Sequence, residues 1–332
     1  MNEDVKKYFE DKELWDSLPK RNNVVRMLSD RINITNKSQR RGRVRVINVD
    51  DIEYYRKIMS DYCRIVEIAS SEMYNNVGLI TPNIHVMTAN DKDKIIRSKG
   101  NKYIANKLYT ATKNALNIPG YECVCAYDVL EKAFDKYYTF PYSNKSWKDF
   151  FENKKWEMLY NKEIKDVFLN YMTKECFDEY VNMYLLDELR TECDRHTANF
   201  IFYKKEGEDK YQGVIPIDME YMDILSYERI LTDKDFDEFI TKSEYSSYTP
   251  SEHLDFLTYD KRMRSLLNLV TDGVLSDENI EILRHALAYD LPSKISEICK
   301  NPYFKSDKKL VVEPFSRLWD YNQNTLGREL GM

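Results

Sequence analysis

Apolar positions along this chain change period several times, and each change predicts an element. The opening "KELWDSLPKRNNVVRMLSDR" reads as helical. "RINITNK" and "RVRVINV", either side of "SQRRG", predict two strands around a turn closed by Gly42. From Ile52 the apolar residues Ile52, Tyr55, Met59, Tyr62, Val66, Ala69 and Met73 recur in alternating steps of three and four, which predicts one long amphipathic helix. Gly78 and Pro82 close it, and "NIHVM" follows as a strand. A helix is expected at "IANKLYTATKNAL" and a strand at "YECVCAYDVL". "SWKDFFENKKWEMLY", "EIKDVFLNYM" and "CFDEYVNMYLLDELR" have helical spacing, the last with Phe177, Val181, Tyr184, Leu185 and Leu189 on one stripe, which marks a core helix. The period then shortens: "NFIFYKK" and "YQGVIPID", parted by the polar "EGEDK", form a hairpin pattern. Beyond about residue 226 the pattern is helical again, with Ser276 an N-cap for "SDENIEILRHAL".

Composition narrows the class. A chain of 332 residues has room for two lobes, and an apolar fraction of 42% excludes general disorder despite 32% charged residues. We expect an N-terminal lobe over 1–130 and a helical C-terminal lobe over 131–332. No apolar run is long enough to span a bilayer, and "MNEDVKKYFEDKELW" lacks the basic start and apolar run of a signal peptide, so a cytoplasmic protein is expected. The net charge of −6 argues against bulk nucleic-acid binding, although "KSQRRGRVRV" is a local basic cluster that a phosphate-rich ligand could use. Six cysteines at 63, 123, 125, 176, 193 and 299 have neither zinc-site spacing nor the density of a disulfide framework, so they read as reduced, packed thiols.

The candidate chemistry lies in "CDRHTANFIFY" and "GVIPIDME". A hairpin with Asn199 at one end and Asp218 at the other brings an amide oxygen and a carboxylate together, an all-oxygen pair suited to Mg²⁺, with Asp194 on the loop beside them. The spacing from Asp194 to Asn199 equals that of the kinase catalytic loop H-R-D-x-x-x-x-N, and Asp218 falls where the magnesium-binding acid of D-F-G would.

"DRHTANF" resembles the D-R-H-x-x-N loop of the phosphatidylinositol kinases, and together with "VIPIDME" it looks more like the HipA-type kinases of the protein-kinase-like superfamily. That match covers residues 176–224, and "RIVEIASSEMYNNVGLITPNIHV" is a weaker one upstream. The resemblance implies an α+β, two-lobed protein-kinase-like fold and an ATP- and Mg²⁺-dependent transfer of phosphate to a Ser or Thr hydroxyl of a protein. It implies Asp194 as catalytic acid or base, His196 near the transferring phosphate, and Asn199 and Asp218 as metal ligands. It makes Glu67 the helix glutamate that pairs with a phosphate-binding cation, and Arg195 a brace of the loop.

The chain departs from the pattern in three places. It has nine glycines and no glycine-rich phosphate loop. No lysine stands out on a strand before the long helix; Arg45, about twenty residues before Glu67, is the cation expected to take that place. D-F-G becomes D-M-E, leaving Glu220 as a further oxygen ligand or a surface acid. Two rivals follow: a catalytically silent binding module, and a kinase-like enzyme that acts on a lipid or small molecule or transfers nucleotide.

Overall fold

The structure, a computed structural model, describes residues 2–18, 20–21, 24–26, 32–39, 44–57, 59–88, 108–135, 156–192, 195, 197–219, 259–301, 304 and 308–332. Two short helices, α1 (Glu3–Phe9) and α2 (Lys12–Asp16), precede β1 (Lys20–Arg21), β2 (Val24–Arg26), β3 (Ile32–Gln39), β4 (Val44–Val49) and β5 (Ile52–Lys57). Helix α3 (Asp61–Asn76) is followed by β6 (Ile84–Thr88) and β7 (Leu108–Lys113). These seven strands form one sheet in the order β1-β2-β6-β7-β5-β4-β3, antiparallel throughout except for the β2–β6 pair.

The second part begins with β8 (Tyr121–Cys125), α4 (Ala126–Asp135), α5 (Glu157–Tyr160), α6 (Lys162–Tyr171) and α7 (Lys174–Leu189). The hairpin β9 (Phe200–Lys205) and β10 (Gly213–Pro216) joins β8 in a three-stranded antiparallel sheet. The described chain closes with α8 (Tyr259–Thr271), α9 (Asp277–Ala288), α10 (Leu291–Ile298) and α11 (Lys308–Asn322), which runs into a π turn over Gln323–Gly327. Sheet membership thus changes between Lys113 and Tyr121.

Four expectations change. Ile52–Lys57 is a strand, not the start of a helix, because it pairs on both sides, with β4 and β7. Its 3/4 spacing also satisfies a strand over so short a run, and long-range pairing decides. The helix begins only at Asp61, where the Ser60 side chain caps the Cys63 N–H. Leu108–Lys113, expected to be helical, is the strand between β5 and β6, and residues 101–107 of that stretch lie outside the described residues. Among the described residues of the opening segment only Lys12–Asp16 is helical before β1 and β2. "YECVCAYDVL" divides into a strand and helix α4. The predicted hairpin, α6, α7 and the Ser276 cap of α9 are present, the last as a reciprocal capping box with Asn279.

Helix α7 is the axis of the helical part. Phe177, Val181, Tyr184, Leu185 and Leu189 are all buried, but so are Asn182, Asp187 and Glu188, so the helix is enclosed on every side. Its core includes Ile65, Val66, Ala69, Met73 and Tyr74 of α3, and so spans both parts of the chain. Trp15, Ile47, Tyr54, Met87 and Tyr109 fill a separate core on the larger sheet. Val5 and Phe9 of α1 pack with Ile118, Ile201 and Ile215, behind the connector and the hairpin. His85 stacks on Trp15 and lies 2.8 Å from Asp11. The described cysteines are all free thiols, and burial pushes the Cys123 thiol up to about 11.

Candidate active site

The end of α7 sets the site. Thr191 adopts φ 60°, while its N–H reaches the Glu188 carbonyl at 3.2 Å and the Glu192 N–H reaches the Asp187 carbonyl at 2.9 Å. This is a Schellman turn with a β-branched residue where glycine is usual, a strained backbone that the surroundings hold in place. The turn delivers the chain to the loop before β9.

The loop is held by Arg195. Its guanidinium donates to both Asp187 oxygens at 2.8 and 3.2 Å, to the Asn199 carbonyl at 2.5 Å and to the Ile217 carbonyl at 2.8 Å. It therefore ties the helix end, the start of β9 and the segment after β10 into one unit. Burial alone would raise the Asp187 carboxyl; the Arg195 and Arg190 guanidiniums outweigh it and hold the group below its ordinary value.

Asn199 and Asp218 stand at the open end of the hairpin. Phe200 pairs with Pro216, and the Ile217 N–H donates to the Asn199 carbonyl at 3.0 Å, so the two residues flank the last rung of the ladder. Asn199 is buried, whereas the Asp218 side chain is 28% exposed, open enough to take a ligand. Asp218 sits in the left-handed region at φ 56°, a conformation aspartate tolerates better than most residues.

Across from the hairpin stands a residue the sequence reading overlooked. Lys57, the last residue of β5, donates to Glu67 Oε1 at 2.9 Å and also pairs with Asp218. Glu67 is 1% exposed, so the lysine neutralises a buried carboxylate while keeping its other contact on the partly exposed Asp218. Arg45 is not the cation beside Glu67. It pairs with Arg56 across the β4–β5 ladder, and opposed residues share a face, so pleating turns Arg45 to the face away from Lys57. Arg56 itself is buried over the Tyr109 ring, 4.0 Å from its centroid. The signal for Lys57 was present in the strand-forming "IEYYRK" followed by the Ser60 cap, but the 3/4 spacing across it masked the break.

Asp194 and His196 lie outside the described residues, as do Glu220, Arg40, Arg41, Gly42, Arg43 and the hydroxyl-rich "KSEYSSYTP". Among the described residues no cluster of three or more His, Cys, Asp or Glu side chains can hold a metal. The donor set instead suits an ion that keeps most of its water. One amide oxygen and one partly exposed carboxylate suit Mg²⁺ in that role.

A β-rich part and a helical part meet where a strand lysine is bound to a helix glutamate and to an acid at the end of a hairpin. No protein-family model matches the sequence, and no curated protein matches it. Among solved structures the chain is similar to the Helicobacter pylori proinflammatory kinase CtkA, with a TM-score of 0.55 at 14% identity over 91% of this chain and 94% of that one. It is also similar to HipA in the Shewanella oneidensis MR-1 toxin–antitoxin complex of HipA, HipB and operator DNA, with a TM-score of 0.47 at 12% identity over 97% of this chain and 71% of that one. The likeness to CtkA establishes the expected two-lobed, protein-kinase-like α+β fold and bears out the suspected resemblance at the level of fold.

Proposed function

We propose that this protein is an ATP- and Mg²⁺-dependent phosphotransferase that phosphorylates a Ser or Thr hydroxyl of a protein. The observation that carries the reading is Lys57, which bridges the helix glutamate Glu67 and the hairpin acid Asp218 in a kinase-like fold. Lys57 holds phosphate oxygens, and Glu67 fixes the lysine's direction. Asn199 and Asp218 hold magnesium, which when bound neutralises charge on the phosphates. Arg195 keeps Asn199 and the Asp218 segment in register. Asp194 receives the proton of the acceptor hydroxyl as its oxygen bonds to the γ-phosphorus and the bond to the β-phosphate oxygen breaks, releasing ADP. His196 stands near the transferring group. Residues 114–120 serve as the connector between lobes, ahead of the division expected near 130. The protein acts in the cytoplasm; no described helix is long and apolar enough to cross a membrane.

The test is transfer of label from γ-labelled ATP to a mixed Ser/Thr protein substrate, with Lys57→Met, Asp194→Ala and Asp218→Asn as controls. Transfer by the natural chain and at least a hundredfold loss in each variant is expected. Equal labelling by Asp194→Ala overturns the assignment. Binding of Mg·ATP without transfer makes the protein a binding module, and a mass gain equal to a nucleotide in place of a phosphate makes it a nucleotide transferase.

A further inference from the structure

Behind the site lies a buried polar network centred on Arg190, a residue the phosphotransfer reading does not use. Glu67, Ser70 and Tyr74 fall at i, i+3 and i+7, on one face of α3. At the front of that face Lys57 joins Glu67 to Asp218. At the back Arg190, fully enclosed at the end of α7, donates to Ser70 Oγ, to Tyr74 Oη at 3.1 Å and to the Met219 carbonyl at 3.2 Å. It also pairs with Glu192 and, at 3.3 Å, with Asp187, which accepts a hydrogen bond from the Tyr74 hydroxyl as well.

Asp218 is therefore bracketed. The carbonyl before it, Ile217, is held by Arg195, and the carbonyl after it, Met219, by Arg190; both arginines share Asp187. Two cations face two carboxylates, Asp187 and Glu192, so the network is neutral as a whole, although each member is costly to bury alone. The Arg195 arm meets α3 only through the Asp187–Tyr74 hydrogen bond, whereas Arg190 itself donates to α3, at Ser70 and Tyr74. A guanidinium is suited to this place because its fork of fixed donors serves several acceptors at once, which an ammonium on a flexible stem does not.

We infer that Arg190 is a positioning residue that locks helix α3 and the metal-site segment into one register. The inference rests on the phosphotransfer reading for its catalytic consequence. The front link is shared with substrate: when Lys57 turns from Asp218 to phosphate, Arg190, which donates both to Ser70 and to the Met219 carbonyl, is the one side chain seen to join α3 directly to the Asp218 segment among the described residues, and it keeps Glu67 and Asp218 aligned. The residue shapes the metal site without touching substrate.

The experiment compares the full chain with Arg190→Lys and with the milder Tyr74→Phe and Ser70→Ala. With γ-labelled ATP at saturation, each variant is expected to raise the Mg²⁺ concentration at half-maximal rate at least fivefold. The dissociation constant for ATP in EDTA should stay within twofold, since Lys57 and Glu67 are intact. A purely structural role would reduce the active fraction and leave the Mg²⁺ midpoint unchanged, and that result overturns the inference. Amide hydrogen exchange on the nucleotide-free protein provides a readout independent of turnover. Peptides covering 61–76 and 213–219 should lose protection together in all three variants, and loss in one peptide alone also overturns the coupling. Should the natural chain show no response to Mg·ATP, the proposed function fails while the exchange result still decides whether Arg190 couples the two segments. If Arg190→Lys does not fold, Ser70→Ala decides the question, because it removes an Arg190 contact to α3 without touching the Tyr74–Asp187 hydrogen bond.

Discussion

Lys57 carries two obligations at once, and its neighbours make the consequences measurable. Its ammonium is the hydrogen-bond partner of a glutamate that is 1% exposed, so Lys57→Met leaves a buried, uncompensated carboxylate. Removing one member of such a pair costs about 3–5 kcal/mol, whereas replacing both costs much less. Chemical denaturation should therefore show Lys57→Met strongly destabilised and the double variant Lys57→Met/Glu67→Gln substantially recovered; additive losses would contradict the pairing. Glu179 on α7 is a second residue with a clear sign. It accepts the Val214 N–H at 3.1 Å, and burial raises its carboxyl to about 7 from an ordinary 4.5. Between those two values the folded chain keeps a proton that the unfolded chain releases, so this group's contribution to stability falls as pH rises through that window. Glu179→Gln keeps an acceptor for Val214 and should flatten the decline in melting temperature between pH 5 and pH 7.5.

Among the elements, the β9–β10 hairpin positions both Asn199 and Asp218, and its register depends on one glycine. Gly213 pairs with Tyr203, whose ring lies over it so closely that an added Cβ would stand 2.2 Å from the Tyr203 hydroxyl oxygen. Tyr203 is fully buried. Gly213→Ala should cost about 1–3 kcal/mol by overpacking, read as a lower denaturation midpoint, and Gly213→Ala/Tyr203→Leu should recover part of it. The hairpin and α7 were legible in the sequence because a strand alternation and a helical stripe fall within contiguous runs. Strands β5 and β7 were not: Ile52–Lys57 and Leu108–Lys113 are each short enough to satisfy either period, and only their pairing with each other and with β4 and β6 makes them strands.

For the whole molecule, the site is assembled from both lobes, so ligand binding must report on the global fold. A ligand that binds only the folded state raises the melting temperature by mass action, by about 2.7 kcal/mol of stability at a hundredfold excess over its dissociation constant. Mg·ATP should therefore stabilise the natural chain, ATP in EDTA should stabilise it less, and Asp218→Asn should abolish the difference between the two. Equal stabilisation with and without magnesium in the natural chain would remove Asp218 from the metal's coordination.

The sequence by itself determined the local frame of the site: a core helix, a polar loop with Asn199 at its end, and a hairpin closed by Asp218. These lie within one short stretch, where periodicity and spacing speak directly. Tertiary structure decided the rest. Lys57 meets Asp218 across 161 residues of chain and Arg190 meets Ser70 across 120, and no local pattern marks such partners. The pleat of the β4–β5 ladder chose Lys57 over Arg45, because Arg45 opposes Arg56 and one step along a strand reverses the face a side chain occupies. Burial turned Asp187, Arg190, Glu192 and Arg195 from an ordinary charged helix end into a neutral bracket around Asp218, since charges removed from water persist only where they satisfy one another.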